Sequence, residues 1–201
     1  MGLSQLSLVS PVDFPSEEAN RLAAGAQDIL QSATVVEHLE SLVQDSRLVV
    51  ACTARPRGFD LPELTPDKAA EVVLHHARSG PVAVLYGPER FGLSNEHLRL
   101  ARYRVTIPTS PDYPSLNLAA AVQLMSYEIY KAAAGGCSGV EGHERSLPST
   151  RDMELFYEHL HGVLKESGFI NQKHPGKIME KLRRLFARAE PDDTELNILR
   201  G

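Results

Sequence analysis

The chain has 201 residues, of which 42% are hydrophobic and 23% are charged, enough for one sizeable core with an appendage. The formal net charge of −5 excludes a polycation, so binding to nucleic acid would require a local basic patch. Two cysteines, Cys52 and Cys137, exclude a disulfide framework, and the chain contains no Cys/His cluster with zinc spacing.

Membrane and export signals are also missing from the sequence. No apolar run approaches the roughly 18 residues that a membrane span needs. The N-terminal residues do not place a basic segment before an apolar one, as a signal peptide would. We therefore expect a cytoplasmic protein that binds neither a membrane nor a metal.

The first 80 residues alternate short apolar runs with helical patterns. The apolar runs predict strands at 6–9 and 48–52, and Cys52 at the end of the second run is expected to be a buried small side chain. Ser16 is a typical N-cap, and the acids Glu17 and Glu18 follow it, so a helix is predicted to about residue 25. Apolar residues three and four positions apart predict further helices at 36–43 and 67–80.

The same alternation continues from residue 82 to residue 134. Strands are predicted at 82–86 and 105–108, a short helix capped by Ser94 at 95–101, and a long helix capped by Ser115 that ends near residue 134. Strands separated by helices favour parallel pairing with right-handed crossovers. Since the strands are continuously apolar, they fit a sheet covered on both faces. The predicted fold class is therefore α/β, with an open parallel sheet.

The last third of the chain differs in composition. Residues 135–150 are rich in Gly and Ser and have no periodicity, which predicts a linker. Residues 151–201 are helix-like throughout, with one helix predicted at 152–166 and another opened by Pro175. We therefore predict a sheet domain at 1–134, a linker at 135–150 and an all-helical extension at 151–201.

Open parallel sheets bind ligands outside the carboxyl ends of their strands, and three loops are predicted there, at 53–58, 87–94 and 109–117. Gly87 directly follows a strand and permits either close approach of the backbone to a ligand or an ordinary strand-ending turn. Ser115 and Asn117 precede the long helix, whose exposed N–H groups suit an oxygen-rich ligand. The alternative is that Ser115 is only the N-cap of that helix.

Charged residues offer weaker candidates. Glu89 and Arg90 lie in a strand-ending loop, where one orients the other or both face water. Arg55 and Arg57 could hold a phosphate in bidentate fashion or be ordinary loop residues. Residues 173–188 hold six Lys and Arg against one acid, which predicts either a face that meets RNA phosphates or a solvated face. The motifs of P-loop kinases, dinucleotide dehydrogenases and α/β-hydrolases do not occur.

Three long segments carry a more specific pattern. Residues 85–96 read LYGPERFGLSNE, residues 107–128 read IPTSPDYPSLNLAAAVQLMSYE, and residues 168–201 read GFINQKHPGKIMEKLRRLFARAEPDDTELNILRG. The first two resemble the second and third motifs of the SpoU/TrmH class of SPOUT methyltransferases, which methylate ribose 2′-hydroxyls in RNA. The third resembles the C-terminal extension of the TrmJ branch, whose members act on position 32 of the tRNA anticodon loop.

The resemblance implies a trefoil-knotted α/β domain, a homodimer, S-adenosylmethionine bound in the knot, and tRNA as the substrate. By matching motif positions, it implies that the cofactor is lined by Thr53, Ala54, Gly87, Ile107, Pro114, Ser115 and Leu116. The polar residues nearest the chemistry would be Glu89, Ser115 and Asn117. Arg57, Arg90 and Tyr113 would lie near the RNA or the dimer partner. In the basic segment 173–188, Lys181 and Arg184 are the candidates for contact with RNA.

One part of the family pattern is not found. The family opens with a strand and a loop that carries Asn-x-Gly-x-x-x-Arg, whose arginine helps to activate the ribose hydroxyl, and residues 1–3 align with the end of the helix after that loop. We therefore expect the true start to lie upstream, and a gap where an interior strand would pair.

Three functions are alternatives to a tRNA methyltransferase. They are a catalytically incomplete RNA-binding or dimerisation remnant, a ribosomal RNA methyltransferase, and an unrelated nucleotide-binding α/β domain.

Overall fold

The computed structural model describes residues 2–54, 61–110, 112, 113, 115–135, 147–170 and 177–201. The strands are β1 (Ser7–Val9), β2 (Thr34–Val36), β3 (Leu48–Cys52), β4 (Glu63–Leu64), β5 (Val82–Tyr86) and β6 (Tyr103–Val105). The helices are α1 (Glu17–Ala23), α2 (Gln27–Gln31), α3 (Leu39–Val43), α4 (Pro66–His76), α5 (Asn95–Leu100), α6 (Leu118–Ala134), α7 (Thr150–Glu166), α8 (Ile178–Ala189) and α9 (Asp193–Arg200). A 3₁₀ turn, Ala24–Ala26, joins α1 to α2.

All strand pairs of the described residues are parallel. Four strands form a sheet in the order β4-β6-β3-β5, in which Val50 of β3 is opposite Val84 on one side and Tyr103 on the other. Strands β1 and β2 form a separate two-stranded sheet, with Leu8 opposite Val35. Helices follow most strands, and this order produces the parallel pairing. The predicted α/β class with an open parallel sheet is confirmed.

The core lies on both faces of β3, whose residues Leu48 to Ala51 are at most 2% exposed. Because side chains alternate along a strand, Val49 and Ala51 pack with α3 and α5 on one face. Leu48 and Val50 pack on the other face with apolar residues of α4 and α6. This two-sided burial explains why the strand reads as a continuous apolar run.

Two predicted boundaries were wrong, and one short strand was missed. The segment predicted as a helix at 36–43 begins as strand β2, and helix α3 starts only at Leu39. The strand predicted at 105–108 lies earlier, at Tyr103–Val105. The two-residue strand β4 was not predicted. Its residue Glu63 forms a salt bridge with Arg104 of β6, which allows a charged residue in a strand that packs beside the buried β3.

The C-terminal helices have a small core of their own, in which Phe156 and Tyr157 of α7 meet Phe186 of α8 and the buried Leu196 of α9. Helix α7 begins with a capping box in which Ser149 and Asp152 bond reciprocally. The helix-like reading of 151–201 is therefore confirmed for the described residues. None of the helices in the described ranges is long and apolar enough to cross a membrane.

Backbone hydrogen bonds attach the start of α7 to the sheet domain. Thr150 N donates to Ser46 O at 2.9 Å, and Arg151 N donates to Gln44 O at 3.0 Å. A second attachment joins β6 of the sheet to the C-terminal helices, since the Tyr103 hydroxyl bonds to the Glu190 carboxylate at the end of α8. Beside it, burial lowers the pKa of His76 to about 4, with a further contribution from the Arg102 charge, so this imidazole is neutral at pH 7.

Candidate active site at the carboxyl edge of the sheet

A hydrogen-bonded pair joins the loop after β5 to the start of α6. The Asn117 side-chain amide donates to Glu89 Oε1 at 2.9 Å, and the backbone N–H of Leu118 donates to the same oxygen at 3.1 Å. Both residues are exposed. The Glu89 carboxylate therefore lies at the N terminus of α6, where the helix macrodipole favours a negative charge.

Asn117, and not Ser115, is the N-cap of α6. The Asn117 Oδ1 accepts hydrogen bonds from Ala119 N at 2.9 Å and from Ala120 N at 3.3 Å. The prediction that Ser115 caps this helix was wrong. Asparagine is as good a cap as serine, and only Asn117 also has an amide donor that can reach Glu89. Ser115 lies exposed in the segment before the cap.

Gly87 is required by the shape of the loop that carries Glu89. A Cβ atom at residue 87 would lie 2.2 Å from the carbonyl carbon of Gly92 and 2.3 Å from Leu93 N. The loop folds back over Gly87 through a turn in which Gly92 N donates to Pro88 O at 2.7 Å. The close approach is therefore between two backbone segments, and it fixes the direction in which Glu89 leaves the sheet.

The other candidate cofactor residues lie at the same edge of the four-stranded sheet. Thr53 and Ala54 follow β3, and Thr53 N continues the ladder by donating to Val105 O at 3.0 Å. Ile107 lies two residues beyond β6 and is half-buried, while Leu116 is 39% exposed before α6. Because β6, β3 and β5 are adjacent, the three strand ends meet at one edge. Pro114 lies outside the described residues.

Two ionisable groups beneath this edge are kept neutral. Burial raises the pKa of the Cys52 thiol to about 11. Burial also raises the pKa of the Tyr86 hydroxyl, which lies opposite Cys52 in the β3–β5 pair. Neither group is a nucleophile at pH 7, because the thiolate is the reactive form of cysteine. Cys52 was expected to be a buried small side chain, and the structure places it half-buried at the end of β3.

The structure separates the candidate RNA residues into groups. Arg90 is exposed and its guanidinium lies 5.2 Å from the centre of the Phe91 ring. Tyr113 is 80% exposed, in a turn before α6. Lys181 is exposed on α8, and Arg184 of the same helix lines a cleft near the opposite edge of the sheet. Arg57 lies outside the described residues.

The geometry supports a defined kind of chemistry. A carboxylate held by two N–H donors can accept a further hydrogen bond from a ligand hydroxyl. The helix N terminus and the open strand ends beside it present backbone N–H and C=O groups to a ligand. Within the described part of the chain, no group of three or more His, Cys, Asp and Glu side chains is placed to hold a metal ion.

Sequence reasoning named Glu89 and Asn117 together as residues near the chemistry but did not predict the hydrogen bond between them. They are 28 residues apart, and they meet because β5 and β6 both run parallel to β3, which brings the loop after β5 and the start of α6 to the same edge of the sheet. It also missed Phe91 as the partner of Arg90. The available signal was an aromatic residue next to an arginine in a polar loop, which is too common a pair to predict a contact.

Two family models match the chain. The SpoU rRNA Methylase family matches residues 1–127, and the C-terminal domain of the tRNA methyltransferase TrmJ matches residues 151–201. Among curated relatives, the tRNA (cytidine/uridine-2′-O-)-methyltransferase TrmJ of Photorhabdus laumondii is 46% identical over 203 residues, covering 100% of this chain and 84% of that protein. The enzyme of the same name from Yersinia pestis is 45% identical over 205 residues, covering 100% and 80%.

Solved structures agree with these matches. The crystal structure of TrmJ from Z. mobilis ZM4 superposes with a TM-score of 0.80 at 34% identity, covering 100% of this chain and 85% of that one. A probable methylase family protein from Haemophilus influenzae Rd KW20 superposes with a TM-score of 0.63 at 39% identity, covering 98% and 82%. The resemblance found in the sequence is thus confirmed, and the chain belongs to the TrmJ family of SpoU-class methyltransferases, with the SPOUT fold.

Proposed function

We propose that this protein transfers a methyl group from S-adenosylmethionine to the ribose 2′-hydroxyl of nucleotide 32, a cytidine or uridine, in cytoplasmic tRNA. The observation that carries the proposal is the Glu89–Asn117 hydrogen bond at the N terminus of α6. It places a fixed carboxylate beside the strand ends where an open parallel sheet binds its ligand. The TrmJ relatives are named for 2′-O-methylation of cytidine and uridine in tRNA.

The residues at the sheet edge fit the proposed cofactor. S-adenosylmethionine supplies an electrophilic methyl group when bound. Its adenosine part needs apolar contacts and backbone hydrogen bonds, and these are available at the half-buried Ile107, the partly exposed Leu116 and the ends of β3, β5 and β6. We propose that Thr53, Ala54 and Gly87 complete this wall, and that Pro114 and Ser115 close it on the side of α6.

The mechanism must overcome the weak nucleophilicity of a ribose hydroxyl at neutral pH. The site must therefore hold the hydroxyl oxygen in line with the methyl carbon, which can lower the barrier by several kcal/mol. A positioned proton acceptor adds roughly 10²–10⁴-fold. We assign to Glu89 the acceptance of a hydrogen bond from the reacting ribose, to Asn117 the orientation of Glu89, and to Ser115 a second polar contact at the same place.

We propose that the remaining candidates bind the RNA. Arg90 and Phe91 together present a cation and an exposed ring, a combination that contacts phosphates and unstacked bases. The exposed Tyr113 offers another ring beside the start of α6. Lys181 and Arg184 on α8 extend the contact to the C-terminal helices, and Arg57 is assigned to the same role.

We also propose that the protein is a homodimer whose subunits meet along α6, and that the sheet domain contains the trefoil knot of its class. Tyr127 and Tyr130, one turn apart on α6, are 53% and 52% exposed, which is unusual for two neighbouring aromatic side chains. Replacing both with glutamate is expected to convert a dimer into a monomer in sedimentation velocity, whereas phenylalanine at both positions preserves the dimer. A wild-type protein that sediments as one chain at micromolar concentration contradicts the dimer.

The proposed activity is tested with tRNA transcripts and S-adenosylmethionine carrying a labelled methyl group. We expect the label to appear on the ribose of nucleotide 32, identified by mass spectrometry of nuclease fragments. A transcript with a 2′-deoxyribose at position 32 is the matched control and should accept no label. Methylation of a base, or of the deoxy transcript, contradicts the assignment.

The same experiment separates the alternatives. Binding of tRNA without any transfer favours a non-catalytic RNA-binding protein. Transfer to ribosomal RNA in preference to tRNA changes the substrate but not the reaction. Absence of S-adenosylmethionine binding in calorimetry, with binding of another nucleotide, favours an unrelated nucleotide-binding domain.

A further inference from the structure

A second polar site lies between the sheet domain and the C-terminal helices. A cleft with a volume of about 60 Å³ opens beside the first residues of β3, the end of α5 and the facing sides of α7 and α8. Roughly 10–15 Å³ of such volume holds one water molecule. The cleft therefore has room for a group of about four or five heavy atoms, the size of a phosphate.

The walls of the cleft are strongly basic. Two of its arginines form salt bridges, Arg183 with Glu154 at 2.5 Å and Arg99 with Glu180 at 3.6 Å. The ion pairs found in the described ranges include neither Arg47 nor Arg102. The ion pairs of the described residues thus leave Arg47 and Arg102 without a carboxylate, which gives the cleft an excess of positive charge. The arginines lining the cleft are Arg47, Arg99, Arg102, Arg183 and Arg184.

Arg47 and Arg102 have different surroundings in the cleft. The Arg47 Nη1 donates to the backbone carbonyl of Leu147 at 2.6 Å, and its stem passes over Gly80, where a Cβ atom would lie 2.7 Å from Arg47 Cγ. Arg102 Nη1 is buried and has no hydrogen-bond partner within the described residues. A buried donor without a partner is costly, so the site gains stability when an acceptor enters.

Arg183 contributes to the opposite wall and is held by contacts with an aromatic ring and a carboxylate. Its guanidinium lies 4.2 Å from the centre of the Tyr157 ring and makes two contacts with the Glu154 carboxylate. Such a group is preorganised, and little side-chain entropy is lost when it meets a ligand. The cleft therefore combines arginines from both parts of the molecule around one small volume.

We propose that this cleft binds a backbone phosphate of the tRNA, at a distance from the nucleotide that is methylated. Several guanidinium groups around a volume of this size match a phosphate, which accepts multiple charge-assisted hydrogen bonds. The cleft lies at the amino end of β3 and the candidate active site at its carboxyl end, roughly 15 Å apart at about 3.3 Å per residue. The inference rests on the proposed function, because it takes tRNA as the ligand.

The test measures equilibrium binding and not methyl transfer. Arg47→Gln and Arg102→Gln are each titrated with a tRNA transcript by fluorescence anisotropy at several salt concentrations. We expect about a tenfold loss of affinity and a salt slope that is lower by about one, the change for one lost phosphate contact. Arg21→Gln is the matched control, because Arg21 is an exposed arginine of α1 paired with Glu18, and it should behave as wild type.

Inorganic phosphate separates the two sources of the ligand. At matched ionic strength, phosphate in place of chloride should raise the melting temperature of the wild type but not of Arg47→Gln, because a ligand of the native state stabilises it. Stabilisation by phosphate without any change in tRNA affinity or salt slope in the variants means that the cleft serves free phosphate, and the inference is overturned. The melting curves recorded without phosphate show that each variant is folded before its binding is compared.

The failure of this inference can be told from the failure of the proposed function. A wild type that binds tRNA with the same affinity and slope as both variants contradicts only the cleft as an RNA site. A wild type that binds no tRNA at any salt concentration contradicts the proposed function itself. Arg102→Lys, which keeps the charge, should retain most of the affinity that Arg102→Gln loses.

Discussion

Replacing Asn117 with aspartate is expected to lower the turnover rate of methyl transfer by about 100-fold while leaving α6 folded. Aspartate keeps the oxygen that accepts from Ala119 N and Ala120 N, so the helix retains its cap. The amide donor to Glu89 is lost, and a second carboxylate would stand 2.9 Å from Glu89 Oε1. Like charges at this distance repel, so the Glu89 side chain turns away and loses its productive position.

Alanine at position 117 removes both functions of the side chain. We expect the same loss of rate, together with a loss of about 0.5–2 kcal/mol of stability from the missing cap. Asp192→Ala is the matched control, because it removes the cap of α9, where Asp192 accepts from Glu195 N at 2.8 Å, without touching the sheet edge. Its stability should fall by a similar amount while its turnover rate stays at the wild-type value.

A double-mutant cycle decides whether Glu89 and Asn117 act as a unit. If Asn117 works only by orienting Glu89, Glu89→Gln combined with Asn117→Ala should be no slower than the slower single variant. Initial rates at saturating tRNA and S-adenosylmethionine are measured for the wild type, the two single variants and the double variant. If the rate losses of the single variants multiply in the double variant, or if Asn117→Asp has the wild-type rate, the hydrogen bond has no part in the reaction.

The parts of the fold that the sequence predicted are those with one dominant local signal. Strands β3 and β5 are continuous apolar runs, and α5 begins at a serine cap, so both kinds of element were placed correctly. Strands β2 and β4 have three residues and two residues, too few to show a period. Strand β6 contains Arg104, and a charged residue interrupts the apolar pattern by which a buried strand is predicted. Its partner Glu63 is distant in sequence, so the salt bridge that stabilises Arg104 could not be predicted.

The candidate site was predicted at the level of loops and not of contacts. Gly87, Glu89 and Asn117 were named from their places beside regular elements and from the motif positions of the resembled family, and they do lie at one edge of the sheet. The choice between two good capping residues in Ser-Leu-Asn depends on Glu89, which is distant in sequence. The arginine cleft was not predicted as a site, although Arg184 was named for RNA contact, because its lining residues come from five separate segments of the chain.

Gly87→Ala is expected to weaken S-adenosylmethionine binding and methyl transfer by at least about 100-fold each. The new Cβ atom would lie 2.2 and 2.3 Å from backbone atoms of Gly92 and Leu93, and no side-chain rotation can relieve that overlap. The loop must move as a whole, and it carries Glu89 with it. A displacement of about 1 Å in a positioned group is enough for a loss of this size, and we expect about 1–3 kcal/mol of stability to be lost as well.

Gly162→Ala separates this effect from a general effect of replacing glycine. Gly162 lies inside α7, and a Cβ atom there would meet nothing within 4 Å. Because alanine is the better helix former, this variant should gain up to about 1 kcal/mol and keep wild-type binding and turnover. Calorimetry with S-adenosylmethionine, urea unfolding and the methyl-transfer assay are run on both variants. Wild-type affinity in Gly87→Ala would mean that the loop shifts freely, and that the backbone contact over Gly87 does not position the cofactor site.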